Sequence, residues 1–210
     1  YFNPRGYFSV ADGLEEVDQV RILLGAEPDQ EGIERWRQPE EPRGEEYEKK
    51  RIEEALQTLD ENLERDRDLL GFSRKVDEGL QTLVEFLESD RVEVRRHESR
   101  FIHGKAYLFS GNEGVIAGSS NLTGGGMDAN LELNVGSYSP HVTGQVQTWF
   151  EELWEESEPY DLARLYKARF ERYDPYLIYL RVLHEWYGDE IDEEIKEDGS
   201  LQLTGFQEGA

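Results

Sequence analysis

Two stretches with helical periodicity, set among short strand-like segments, constrain most strongly what this chain can fold into. Apolar residues recur at intervals of four, three and four in Ile52, Leu56, Leu59 and Leu63. This spacing places them on one face and predicts a helix over residues 44–69. The same periodicity predicts a second helix over residues 73–89, and Ser139-Pro140 predicts the start of a third.

Short runs of β-branched, aromatic and other apolar residues predict strands around these helices. The predicted strands cover residues 7–10, 20–24, 92–94, 105–109, 115–117 and 131–135, with a hairpin turn at 111–114. Residues 160–187 are aromatic and helical in character, interrupted at Pro175. The alternation predicts an α/β fold in which a mixed β-sheet is flanked by helices and followed by a C-terminal helical extension.

The chain is strongly acidic, with a formal net charge of −24 over 210 residues. Either the protein avoids polyanions, or the acidity keeps it soluble at high salt. Its basic residues are 17 Arg and only 6 Lys, and a chain rich in Asp and Glu but poor in Lys is typical of a halophile. In molar salt the Debye length is about 3 Å, so local basic patches then matter more for binding than net charge.

The sequence contains no cysteine and no apolar run of transmembrane length. Disulfides and thiolate metal sites are therefore excluded, and no transmembrane helix is predicted. We expect a cytoplasmic protein without a membrane partner.

Polar residues suited to phosphate chemistry cluster between residues 101 and 136. His103 and Lys105 are two apart, so they project to the same side of a strand. An imidazole beside an ammonium suits an anion bound between them, because Lys binds phosphate as a point charge and His can act as nucleophile or proton donor. Asn121 can donate its amide to the same phosphate. Glu132, in the last predicted strand, is a candidate to hold the imidazole in one tautomer.

Each of these features alone is common in turns or on solvated strand faces. In combination they resemble the HKD motif of the phospholipase D superfamily, and most closely its nuclease branch. The resemblance rests on His103-x-Lys105, on Gly118-Ser119-x-Asn121-Leu122-Thr123 and on Asn130-Leu131-Glu132. It implies a phospholipase-D-like fold and phosphodiesterase activity. The aspartate that gives the motif its third letter falls near Ser110, a departure that disfavours a lipase and keeps a non-catalytic role open.

The resemblance also implies a mechanism. His103 attacks phosphorus to form a phosphohistidine, a second histidine protonates the leaving oxygen, and Lys105 and Asn121 stabilise the developing charge. No metal or cofactor is required. Because the chain contains a single His-x-Lys pair, we expect a homodimer in which two copies complete one active site.

The segment leading into the motif, residues 91–105, is the most basic part of the chain. Arg96 and Arg100 are candidates to contact phosphate through the planar guanidinium, and an ion-paired surface strand is an equal alternative. Further candidates for substrate binding are Ser119, Ser120 and Thr123. A second basic cluster is interpreted as a solvated helix face, and comprises Arg164, Lys167, Arg169 and Arg172. Without a basic amphipathic helix for a membrane surface, nucleic acid is favoured over lipid, and DNA over RNA.

We predict that residues 1–158 form the phospholipase-D-like domain, with an acidic loop at 26–43 and helices over 44–89. Residues 159–200 are predicted to be a helical extension and acidic linker. Residues 201–210 are predicted to begin a helicase domain, because Leu203-Thr204-Gly205-Phe206-Gln207 resembles the stretch before the ATP-binding motif of DEAD/DEAH and Snf2-type helicases. Two functions remain open: a metal-independent nuclease, and a non-catalytic module that binds nucleic acid or dimerises a helicase.

Overall fold

The computed structural model describes residues 1–27, 45–71, 73–110, 114–172 and 178–187. Its α-helices are α1 (Pro4–Glu15), α2 (Glu45–Asp68), α3 (Arg74–Glu88), α4 (Pro140–Glu155), α5 (Leu162–Arg172) and α6 (178–187), and a π-helical turn spans Gly125–Ala129. Its strands are β1 (Val20–Gly25), β2 (Val92–His97), β3 (Lys105–Phe109), β4 (Gly114–Gly118), β5 (Asn134–Ser137) and β6 (Glu158–Pro159). The α/β class is confirmed. Within these ranges, no helix has both the length and the apolar character needed to span a bilayer.

The predicted strand over residues 7–10 is wrong, because this segment lies in α1. Asn3 caps the helix by accepting from the backbone N–H of Gly6 at 3.0 Å, and Pro4 occupies the first turn, where its missing N–H costs nothing. The same asparagine side chain accepts from the N–H of Gly124, and the backbone N–H of Asn3 donates to the carbonyl of Leu122. The start of α1 therefore holds the loop that follows β4.

Helices α2 and α3 form where the apolar periodicity predicts them, and both turn that face to the core. Leu63, Leu80 and Leu83 are completely buried. They share the main core with Leu24 of β1 and with Tyr166 of α5. Burial of such side chains is the main favourable contribution to folding.

Strands β1, β2 and β6 form the first of two three-stranded sheets in the described part of the chain. β1 and β2 run parallel in register from Val20 opposite Val92 to Gly25 opposite His97, and β6 adds an antiparallel edge. His97 is fully buried, with its two ring nitrogens hydrogen-bonded to the hydroxyls of Ser99 and Ser157. The predicted strands over residues 20–24 and 92–94 are confirmed.

Strands β3, β4 and β5 form the second sheet, an antiparallel meander. The predicted strands over residues 105–109 and 115–117 are confirmed, and their antiparallel pairing confirms a hairpin; its tip, residues 111–113, lies outside the described residues. The strand predicted over residues 131–135 begins later, at Asn134. Glu132 therefore lies in the loop before β5, because the paired register begins at Asn134 and the N–H of Leu133 donates to the Ser119 hydroxyl instead of to a backbone carbonyl.

The C-terminal half closes the fold with helices. α4 begins after Ser139 as predicted. α5 packs into the main core through Leu162, Ala163 and Tyr166. On the same helix, Arg169 is buried, so its expected place on a solvated face is wrong. The division of the chain at residue 158 stays a prediction, and most of the predicted acidic loop, the acidic linker and the helicase-like end lie outside the described residues.

Candidate active site

One end of the second sheet brings the predicted motif residues together. Lys105 at the start of β3 lies opposite Gly118 at the end of β4, which in turn lies opposite Asn134 at the start of β5. His103 lies two residues before Lys105, and Glu132 lies two residues before Asn134, in the loop before β5. The antiparallel meander therefore places three segments that are separated in the sequence side by side at one edge of the sheet.

Gly118 is the residue that lets these segments approach. A Cβ atom at this position would lie 2.3 Å from both the side-chain oxygen of Asn134 and the carbonyl oxygen of Leu133. Any larger residue would push β5 away from β4. The glycine in the Gly-Ser-x-Asn motif thus serves close strand packing.

His103 and Lys105 do lie together, as the two-residue spacing predicts. The Lys105 Nζ is 3.0 Å from His103 Nδ1 and 3.1 Å from the His103 carbonyl oxygen. The imidazole is open, with 73% of its side chain exposed, whereas the lysine side chain is only 9% exposed. Between them, Gly104 packs against the indole of Trp149, which a Cβ atom would meet at 3.1 Å. A nearly buried ammonium beside an accessible imidazole suits the binding of an anion.

Glu27 is a third member of this cluster and was not predicted from the sequence. Its Oε1 lies 2.7 Å from Lys105 Nζ and 3.6 Å from His103 Nδ1. Burial alone would raise the pKa of Glu27, but the hydrogen bond and charge of Lys105, together with the Tyr1 amino group and His103, outweigh it and lower that pKa. The hydrogen bond from the N–H of Ile102 to the carbonyl of Ala26 fixes this position just after β1. No local signal distinguishes Glu27 from the acidic residues that follow it.

Glu132 has different partners from the one expected. Its carboxylate accepts a short hydrogen bond from Ser119 Oγ and a longer one, at 3.4 Å, from the Asn130 amide. Ser119 Oγ also accepts from the N–H of Leu133 at 3.0 Å. In the described structure the imidazole of His103 is not among the hydrogen-bond partners of Glu132, and the carboxylate beside the ring belongs to Glu27. The catalytic role expected of Glu132 stays a prediction.

The loop after β4 is held by its own side chains. Ser120 is 4% exposed and accepts from the Asn134 amide at 2.7 Å. Thr123 Oγ1 accepts from the N–H of Gly126 at 3.0 Å. Asn121 is half-buried and accepts from the nitrogen of Tyr1 through its Oδ1 at 3.1 Å, which leaves its amide nitrogen to donate. The structure thus gives Ser120 and Thr123 a part in loop geometry; their substrate contacts stay predictions.

The basic segment leading into the motif is extensively ion-paired. Arg96 contacts Asp60 at 2.9 Å and Glu98 at 2.6 Å, and Arg100 contacts Glu156 at 2.6 Å. These contacts match the alternative of an ion-paired surface strand better than a free phosphate-binding patch. The substrate-binding role predicted for both arginines has no support from their geometry and stays a prediction.

Residues 18–154 match the protein family described as "Cardiolipin synthase, PLD-like domain". The chain belongs to this phospholipase-D-like family, since the match covers well over half of it. Membership agrees with the α/β fold and indicates phosphodiester chemistry of that superfamily. The chain has no significant match among curated proteins or solved structures. Among the residues that the structure describes, no group of three or more His, Asp or Glu side chains could hold a metal ion.

Proposed function

We propose that this chain is one half of a metal-independent nuclease that cleaves phosphodiesters through a covalent phosphohistidine. The observation that carries the proposal is the pairing of an exposed His103 imidazole with a nearly buried Lys105 ammonium 3.0 Å away. A lysine held this firmly is preorganised to stabilise phosphate charge, and an exposed imidazole is accessible to phosphorus.

In the proposed reaction, a nitrogen of His103 attacks phosphorus while the bond from phosphorus to the leaving oxygen breaks. The leaving oxygen takes a proton from the corresponding imidazolium of a second copy. That imidazole then removes a proton from water, whose oxygen attacks phosphorus and breaks the phosphorus–nitrogen bond. Lys105 and the Asn121 amide stabilise the non-bridging oxygens in both steps. Two chemical steps of moderate barrier replace one difficult step.

A second copy of the chain supplies the other half-site in this proposal. Support comes from an exposed apolar face beside Glu132, where Leu131, Leu133 and Val135 alternate and are 104%, 77% and 68% exposed. Tyr138, 79% exposed, is a further exposed aromatic residue just after β5. Contiguous exposed apolar surface favours a protein interface, and phospholipase-D-like domains commonly dimerise. Docking of two such faces about a two-fold axis would set the two site edges side by side.

Nucleic acid is the proposed substrate, with DNA preferred to RNA. Support comes from the likeness of the Gly-Ser-x-Asn-Leu-Thr and Asn-Leu-Glu segments to the nuclease branch. The proposed place of the chain, at the N-terminal side of a helicase motor, rests on residues 203–207 alone. A non-catalytic nucleic-acid-binding role is the competing outcome of the test.

The test is cleavage of labelled single- and double-stranded DNA and RNA in molar KCl with EDTA. The wild type is compared with His103→Ala and with His141→Ala, a control at an exposed histidine of α4 outside the site. We expect cleavage by the wild type and the control, and an acid-labile phosphoprotein that His103→Ala does not form. Equal cleavage by His103→Ala would refute the assignment of His103 as the nucleophile. Binding without cleavage by the wild type would indicate a docking module instead.

The dimer is tested separately by light scattering. The wild type should be a dimer in molar KCl, and Leu133→Glu should be a monomer with reduced cleavage. Mixing His103→Ala with wild type should also lower the activity per wild-type chain. A fully active wild-type monomer at the assay concentration would overturn the proposal that each chain supplies only half of an active site.

A further inference from the structure

The ammonium of Lys105 has no hydrogen-bonding capacity left in the arrangement described. An ammonium has three N–H donors and no acceptor. Its three acceptors are Glu27 Oε1 at 2.7 Å, His103 Nδ1 at 3.0 Å and the His103 carbonyl oxygen at 3.1 Å. Since little of this side chain is exposed, a phosphate oxygen can reach it only by replacing one of these partners.

The same contacts fix the tautomer of His103. Because Lys105 can only donate, the Nδ1 that it contacts must accept, and a neutral ring then carries its proton on Nε2. Nδ1 is engaged by Lys105 and neighbours Glu27, so Nε2 is the nitrogen left to meet phosphorus. A protonated Nε2 has no lone pair for attack. The ring must therefore change tautomer before it can act as nucleophile.

Glu27 is placed to drive that change. Its Oε1 is 3.6 Å from His103 Nδ1, so a small movement away from Lys105 brings it within hydrogen-bond distance of that nitrogen. A carboxylate that accepts from one ring nitrogen fixes the proton there and frees the other nitrogen.

We propose that Glu27 is a positioning residue that exchanges partners when a phosphodiester binds. Phosphate oxygens replace both Glu27 and His103 Nδ1 as acceptors of Lys105, and Glu27 then accepts the Nδ1–H of His103. The proton on Nε2 leaves to solvent and one from solvent arrives at Nδ1, so the ring stays neutral and gains a lone pair on Nε2. The inference rests on the proposed function, because it describes how His103 of the same site is converted to its reactive tautomer.

Glu27 acts in opposite directions on binding and on the chemical step. Its negative charge competes with the phosphate for Lys105, so it weakens substrate binding. Its contact with Nδ1 prepares the nucleophile, so it speeds the reaction. Removal of the charge in Glu27→Gln should tighten binding and slow chemistry, whereas a purely structural carboxylate would lose both together.

The experiment measures binding and tautomer without relying on catalysis. Inorganic phosphate is titrated at fixed KCl into ¹⁵N-histidine-labelled wild type, Glu27→Gln and Glu88→Gln, above the ordinary imidazole pKa of about 6.5. The control removes a similarly exposed carboxylate paired with Lys167, away from the site. Unchanged melting temperatures show that the variants are folded.

We expect wild-type His103 to change from the Nε2–H to the Nδ1–H tautomer as phosphate saturates the site, and the Glu88→Gln control to do the same. Glu27→Gln should bind phosphate about three- to tenfold more tightly, without the tautomer change. With a cleaved substrate, both kcat and KM should fall in this variant. Weaker phosphate binding by Glu27→Gln, or an unchanged tautomer in saturated wild type, would overturn the exchange. Because both readouts exist without turnover, an inactive wild type would count against the proposed function alone.

Discussion

Replacement of Arg169 by methionine tests how the C-terminal helix is joined to the core. The Arg169 side chain is 1% exposed. Its guanidinium donates to the carbonyl oxygens of Arg67 at 2.7 Å, of Leu70 at 3.1 Å and of Gly71 at 3.1 Å. These carbonyls belong to the last turn of α2 and the residues just after it, where a helix leaves its C=O groups without internal partners. Methionine keeps most of the apolar stem and removes all of these donors.

The expected loss follows from the carbonyls left behind. Gly71 is exposed, so water can replace the donor there, but Leu70 is buried, and the Arg67 carbonyl keeps only a long hydrogen bond, at 3.4 Å, from the N–H of Leu70. Each buried acceptor left without a partner costs about 1–3 kcal/mol. The free energy of unfolding should fall by about 3 kcal/mol, which lowers the melting temperature of a chain of this size by about 6–12 °C.

The assay is thermal and denaturant unfolding followed by circular dichroism at one KCl concentration. Arg164→Met is the matched control, because it removes an exposed arginine from the same helix and should change stability by no more than about 0.5 kcal/mol. If Arg169→Met melts at the temperature of this control, the three carbonyls are satisfied without the guanidinium and the reasoning fails.

Two further predictions concern His97 and Gly118. Burial lowers the pKa of His97, and the charge of Arg100 lowers it further. The unfolded chain therefore takes up a proton first, so the free energy of unfolding should fall by up to about 1.4 kcal/mol per pH unit as pH drops below about 6.5. His97→Gln should lack this component in the same denaturant titration; an identical slope would refute it. Gly118→Ala should cost about 1–3 kcal/mol, because its Cβ would displace β5. Gly13→Ala, with open space around it in α1, should instead stabilise by about 0.5–1 kcal/mol; a harmless Gly118→Ala would contradict the packing described.

Elements with a strong apolar period were predictable from sequence. The helices α2 and α3 follow from one face of leucines, and β1 to β4 follow from short apolar runs bounded by polar residues. In these segments local preference and burial in the core agree. His103 and Lys105 lie together as their two-residue spacing predicts, although β3 begins only at Lys105.

Two of the strand predictions were wrong, wholly or in part, because one sequence pattern is compatible with more than one backbone conformation. Tyr7 and its neighbours have strand propensity, but the Asn3-Pro4 start is a helix signal and prevails. The alternation of Leu131 and Leu133 is the same in a strand and in an exposed segment. Here the Ser119 hydroxyl accepts the Leu133 N–H, and the backbone ladder begins only at Asn134.

The features that could not be predicted from the sequence depend on contacts between segments that are distant along the chain. Glu27 reaches Lys105 from the end of β1, and nothing in its immediate sequence marks it. Arg169 has the spacing of a solvated helix face, yet it is buried because the end of α2 offers it carbonyl oxygens. Such partners are set by the packing of whole elements rather than by local periodicity.

The two sheets differ in the length of chain that must be closed before their strands can pair, and this difference predicts an order of folding. β3, β4 and β5 follow one another with short connections, whereas β1 can pair with β2 only across a loop that contains α2 and α3. Closing a short loop costs less conformational entropy, so strands joined by short loops pair sooner. We therefore expect Lys105 to be in place before Glu27 arrives from β1. Until then its ammonium lacks its carboxylate partner, so a partly folded chain should hold polyanions more readily than the finished protein.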